Sequence, residues 1–213
     1  MTGHRPQRAS GYTLILPPGW LRLDARTDRG TAELDGELDR VLSTVPRDSM
    51  GPLIAQARKQ AHAVLEKART AGALDLYLPL GGMHGRAVPA SFLVSMVAFT
   101  GPPPDLGAAQ DPEATSMHMA AMLADRMPAG EVREMPAGIA VRSRRVLPAD
   151  GDSEWAGTRV DYHWPMPSQP LKWALASFTT IGAGAPEDDV SELLLGLFDA
   201  IMLTWRWRPG LVI

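Results

Sequence analysis

The last quarter of the chain constrains the fold most. Between Gly157 and Trp164, Val160, Tyr162 and Trp164 alternate with Arg159, Asp161 and His163, and a period of two belongs to a strand with two different faces. Leu171 to Ile181 is a second long run of β-formers, so the two segments read as a hairpin joined by Pro165-Met166-Pro167-Ser168-Gln169-Pro170. The period then changes. Val190, Leu193, Leu194, Leu197, Phe198, Ile201 and Trp205 fall on one side of a 3.6-residue repeat, which predicts an amphipathic helix from Pro186 to about Thr204. Glu187, Asp188 and Asp189 suit its positive N-terminal end, and the block closes on Trp205-Arg206-Trp207.

Upstream, Tyr12 to Leu16 reads as a strand stopped by Pro17-Pro18-Gly19, with Trp20 just beyond. Leu34, Leu38, Val41, Leu42 and Val45 share a helical face ended by Pro46. Pro52, suited to a first turn, opens a second helix whose stripe of Leu53, Ile54, Ala57, Ala61, Val64, Leu65 and Ala68 stops at Gly72. Leu74, Leu76, Leu78 and Leu80 alternate as a half-buried strand ending at Gly81-Gly82. Ala90 to Phe99 is apolar on both sides and reads as a central strand. After Gly101-Pro102-Pro103-Pro104, Asp111-Pro112-Glu113 starts a third helix running to about Met127. Gly138 to Leu147 is another strand, with Asp150 to Ala156 as its turn.

Strands and helices in this order show no regular βαβ alternation. The expected class is therefore α+β, a twisted antiparallel sheet covered by helices in one domain spanning residues 11–208, with tails at 1–10 and 209–213. With 45% hydrophobic residues among 213, such a chain can bury roughly 70% of its unfolded surface.

Composition removes several function classes. A net charge of -3 gives no polybasic surface for nucleic acid. The absence of cysteine removes disulfides, thiolate metal sites, iron–sulfur clusters and thiol nucleophiles together. Met1 to Ser10 has no apolar stretch behind its basic residues, so it is not read as a signal peptide. The longest uncharged run, Ala87 to Pro104, is broken by prolines and serines, so membrane insertion is not expected and the expected compartment is the cytoplasm.

No G-x-S-x-G elbow, H-E-x-x-H helix, phosphate loop or complete G-x-G-x-x-G fingerprint occurs. Gly182-Ala183-Gly184-Ala185 stands between a strand and a helix, where amides can hold an anion, but Glu187, Asp188 and Asp189 already supply negative charge there. Gly81-Gly82-Met83-His84-Gly85-Arg86 carries an imidazole and a guanidinium on a flexible loop. His84 and Arg86 are thus candidates for binding an anion or for proton transfer, against the plainer reading of a solvated turn. Arg142, Arg144 and Arg145 would form a basic stripe with Arg159 if their strands pair, recognising carboxylate or phosphate, or else pairing with Asp150, Asp152 and Glu154. Trp155 and Trp164, among six indoles, are candidates for an apolar pocket wall or for the closing of core ends. Met117, Met119, Met122 and Met127 give the third helix a soft surface suited to docking or to core filling. His62, His118 and His163 lack a second histidine at helical spacing; His62 is expected on a helix surface and His163 exposed or half exposed. Neither metal nor cofactor is predicted.

The strand from Tyr12 running into Pro-Gly-Trp20, the late antiparallel strands and the terminal helix ending near Trp205 resemble the PsbP-like fold. That αβα sandwich is shared by photosynthetic extrinsic subunits, a Ran-binding relative and actinobacterial LpqN-type proteins. The helices between Asp24 and Gly72 depart from its compact pattern. The Ala/Arg/Gly/Pro-rich style is similar to that of uncharacterised actinobacterial proteins. The resemblance implies a non-enzymatic binding or accessory role with a protein partner. Two alternatives are a small-molecule-binding protein or enzyme using Gly81 to Arg86, and a structural subunit of a homo-oligomer burying Phe92 to Phe99.

Overall fold

The computed structural model describes residues 9–43, 47–80, 88–98, 112–149, 155–167 and 169–209. The class is α+β, with antiparallel strands and four helices among those residues. The chain divides into two compact units, Pro17–Ser95 and the remainder, Met1–Leu16 with Met96–Ile213.

In the Pro17–Ser95 unit, β2 (Leu21–Asp24), β3 (Ala73–Leu78) and β4 (Ala90–Ala98, whose last three residues belong to the other unit) pair antiparallel in that order. The helices α1 (Asp28–Leu42) and α2 (Arg47–Thr70) lie between β2 and β3 in sequence. Leu34 and Leu38 of α1 and Leu65 and Ala68 of α2 meet Leu23, Leu76 and Leu78 in one apolar cluster, as their helical spacing predicts. Two expectations change. The second helix begins at Arg47, so Pro52 lies inside it. β3 is buried on both faces rather than one, because Tyr77 stacks on Phe92 at 4.1 Å and Asp75 accepts two hydrogen bonds from Arg22, each 2.9 Å. Phe92 and Val94 are therefore already buried within the chain, which leaves them no area for a symmetric interface. Gly30 is required by contact: a Cβ there would stand 2.1 Å from the Asp24 carbonyl oxygen.

The other unit contains a sheet in the order β8 (Gln169–Thr180), β7 (Gly157–Met166), β6 (Gly138–Leu147) and β5 (Glu131–Met135). The hairpin expected from sequence is present, with Val160 opposite Phe178 and Tyr162 opposite Ala176. It is tighter than the six-residue turn suggested, because Pro165 and Met166 continue the strand and Met166 already pairs with Gln169. The helix α3 (Pro112–Ala124) meets Val141 and Trp173 on one face of this sheet. On the other face, α4 (Asp189–Leu203) sets Phe198 against Phe178 at 4.8 Å and Tyr162 at 5.8 Å. This unit is thus a three-layer αβα arrangement.

α4 starts at Asp189 with Asp188 as its N-cap, three residues later than the expected start at Pro186. Its carboxylate accepts from the amides of Ala183, Ala185 and Ser191 at 2.7 to 3.2 Å, so the Gly182 to Ala185 loop is filled by the chain's own anion. These bonds, the Ser191 one foremost, hold the Asp188 carboxyl below its usual range. Gly182, at φ 57°, could not be replaced without a Cβ striking the Ser191 and Asp188 side chains. The buried α4 stripe is Ser191, Leu194, Leu195, Phe198, Ile201 and Met202; Leu193, assigned to it from sequence, is 72% exposed.

A separate pair joins the chain ends: β1 (Ala9–Thr13) runs antiparallel to β9 (Arg206–Pro209). The first strand lies earlier than Tyr12 to Leu16, and residues 9 and 10 belong to it rather than to a tail. Among the described residues no helix is long and apolar enough to cross a membrane.

Candidate functional site

The charged and aromatic residues singled out in sequence go to different places. His84 and Arg86 lie outside the described residues, as do Asp150, Asp152 and Glu154. The arginine stripe is divided by strand alternation. Arg142 and Arg144 face α4, where Arg142 Nε donates to Asp199 Oδ1 at 3.0 Å and Arg144 donates to both Glu192 oxygens at 2.5 and 3.3 Å. Arg145 stands opposite Arg159, which is turned to Asp161 at 2.8 Å. Arg142 and Arg144 therefore fasten a helix to the sheet. Trp164 is fully buried between Tyr162 at 5.2 Å and Trp205 at 4.7 Å. Trp155 is 54% exposed beside Gly184.

What the structure does bring together is a cavity of about 190 Å³ under α3. Strand β7 supplies His163 and β8 supplies Trp173 as its buried floor; α3 supplies Met119, Met122 and Leu123 as its roof. Val97 and Ala98 from the end of β4, with Arg126 from the turn after α3, are exposed and form the rim. The assembly follows from periodicity: residues 119, 122, 123 and 126 share a helical face, and odd-numbered β7 residues face α3 while even-numbered ones face α4.

His163 is only 8% exposed, against the sequence expectation, because α3 covers the side of β7 that alternation marked as polar. Its Nδ1 and the Nε1 of Trp173 are buried without a hydrogen-bond partner among the described residues. Burial is the main influence on the imidazole and pushes its pKa below 6.5, outweighing the opposite pull of Asp161. The site thus presents apolar walls and the side chains of His163 and Trp173, with the Arg126 guanidinium at the rim. No ion pair is formed by Arg126 among the described residues.

Two larger clefts in the Pro17–Ser95 unit are less suited to a ligand. One, about 330 Å³, is lined by Arg22, Asp24, Arg26, Arg29, Glu33 and Asp75, whose charges pair with one another. The other, about 300 Å³ beside Asp39 and Arg58, holds the ion pair between those two residues. Among the described residues no three His, Asp or Glu side chains are grouped as for a metal ion. His62 Nε2 is 2.9 Å from Asp35 on the surface of the helical pair.

Sequence reasoning named His163 and the methionines separately but not the cavity. The signal available was the 119, 122, 123, 126 stripe, which ends in a cation.

No family model and no curated protein matches this sequence. Among solved structures, the Saccharomyces cerevisiae Ran-binding protein Mog1p aligns over 92% of this chain and 89% of its own, at 10% identity and a TM-score of 0.41. A likeness of that size transfers neither partner nor residue.

Proposed function

We propose that the protein is a non-enzymatic binding protein of accessory type and that the cavity under α3 is its binding site. The observation that carries this is a mostly apolar cavity of about 190 Å³ that reaches the surface beside Arg126, whose guanidinium makes no ion pair among the described residues. Burying the apolar face of a ligand against these walls supplies the binding energy, at about 25 cal/mol per Å² removed from water. The resemblance to PsbP-like proteins implies the same accessory class.

The test is an NMR screen of single-ring fragments against the full chain, following the Trp173 indole N–H. Saturable shifts with several fragments, each recovered unchanged, are expected; the absence of any saturable shift would sink the reading. A protein partner on the outer side of α3 is a second reading, favoured by Met117, which is 47% exposed there. Met117→Glu would then abolish partner binding while fragments still enter the cavity.

A further inference from the structure

We infer that the ligand of this cavity is a small monocarboxylate whose apolar body, about one ring in size, sits under α3 with its carboxylate on Arg126. The inference rests on the binding reading above and adds the chemistry of the ligand. Size comes first. A cavity of about 190 Å³ is little larger than the ~150 Å³ apolar cavity that accommodates benzene, and smaller than the roughly 300–1,000 Å³ of sites for larger ligands. One ring with a short substituent fills it.

Charge comes second. Arg126 is the charged residue of the lining, and it makes no ion pair among the described residues, whereas Arg142, Arg144 and Arg159 of the same unit are each held by a carboxylate. A guanidinium presents paired N–H donors that match a carboxylate in two-point geometry. Met119, Met122 and Leu123 contact the ring over the side chains of His163 and Trp173. The polar end of the ligand lies at the exposed rim, so its charge is not buried, and its apolar end lies on the buried floor. A protein segment would need to send a side chain and a carboxylate through the same small opening, which a free molecule does without ordering a chain.

The experiment compares benzoate with its neutral isostere benzamide, each titrated into the full 15N-labelled chain while the signals of Trp173 and His163 are followed. Benzoate is expected to bind about tenfold more tightly than benzamide. Arg126→Gln is expected to remove that difference without weakening benzamide, and Arg126→Lys to restore part of it. Arg126 is exposed, so these variants keep the fold. Equal binding of the two probes, or a preference that survives Arg126→Gln, overturns the carboxylate assignment and leaves the binding site standing. If neither probe moves Trp173 or His163, the cavity is not a site and the functional reading fails with it. A short peptide ending in phenylalanine that binds where benzoate does not would assign the cavity to a protein terminus and overturn the small ligand.

Discussion

His163 shows how the packing of a helix over a strand sets the protonation of a residue beneath it. Its pKa in the folded chain lies below the 6.5 of the free side chain, mainly through burial. The unfolded chain therefore takes up the proton first on acidification, and the stability that neutral His163 contributes is fully present above pH 6.5 and is lost as pH falls toward the folded value. Urea titrations at pH 7.5 and 5.5 should show wild type losing more stability on acidification than His163→Gln; equal losses would contradict the burial. On the opposite face, Tyr162 Oη donates to Asp199 Oδ1 at 2.9 Å and accepts from Arg133 Nη1 at 3.2 Å. Burial first, and then Asp199, push its pKa up to about 12, so it stays a donor throughout the physiological range. Tyr162→Phe removes both of these hydrogen bonds from a network anchored on α4 and is expected to cost about 1–2 kcal/mol in urea unfolding.

Element by element, α4 allows the sequence pattern to be tested against its own ambiguity. Phe198 is fully buried against Phe178 and Tyr162, whereas Leu193, one residue and about 100° around the wheel from Leu194, stands in solvent. Phe198→Ala should cost about 3–5 kcal/mol, and Leu193→Ala should fall within about 0.5 kcal/mol of wild type; thermal unfolding of the two variants reads both. The helix itself was legible because seven apolar residues repeat at 3.6, but the repeat admits a wide stripe and only the sheet beneath selects its centre. The long strands were legible for related reasons: β6 and β7 alternate, a pattern with no helical counterpart, and β8 is a long run of β-formers. β2, β5 and β9 were not. Leu21–Asp24, Glu131–Met135 and Arg206–Pro209 are four or five residues long, too short for a period, and what makes them strands is the partner that supplies their hydrogen bonds. The cavity escaped notice because its residues come from four elements between positions 97 and 173, and no local window contains them together.

At the scale of the whole molecule, the unit that holds the candidate site is built from both ends of the chain, with Pro17–Ser95 inserted between them in sequence. Its integrity therefore depends on a long-range closure. The β1–β9 pairing brings Tyr12 face to face with Trp205 at 4.3 Å and 8° between planes, Trp205 continues onto Trp164 at 4.7 Å, and Trp164 onto Tyr162 at 5.2 Å. Ile15 adds a main-chain hydrogen bond to Thr204 Oγ1 at 2.9 Å. The stack carries a cost, because Nε1 of Trp164 and of Trp205 is buried with no acceptor among the described residues. Ring contacts worth about 0.5–1.5 kcal/mol each do not by themselves offset two unpaired donors at about 1–3 kcal/mol each, so most of the gain must come from the apolar area that the rings bury. Tyr12 is the outermost ring and the one supplied by the N-terminal strand; truncating it uncovers Trp205. Tyr12→Ala is expected to destabilise the protein by about 3–5 kcal/mol and to diminish the near-ultraviolet circular dichroism of the stacked indoles. Ile15→Ala, whose side chain is 72% exposed and whose main-chain bond survives, should change neither. Were Tyr12→Ala as stable as Ile15→Ala, the N-terminal strand would not be closing this unit, and the stack would have to stand on the C-terminal residues alone.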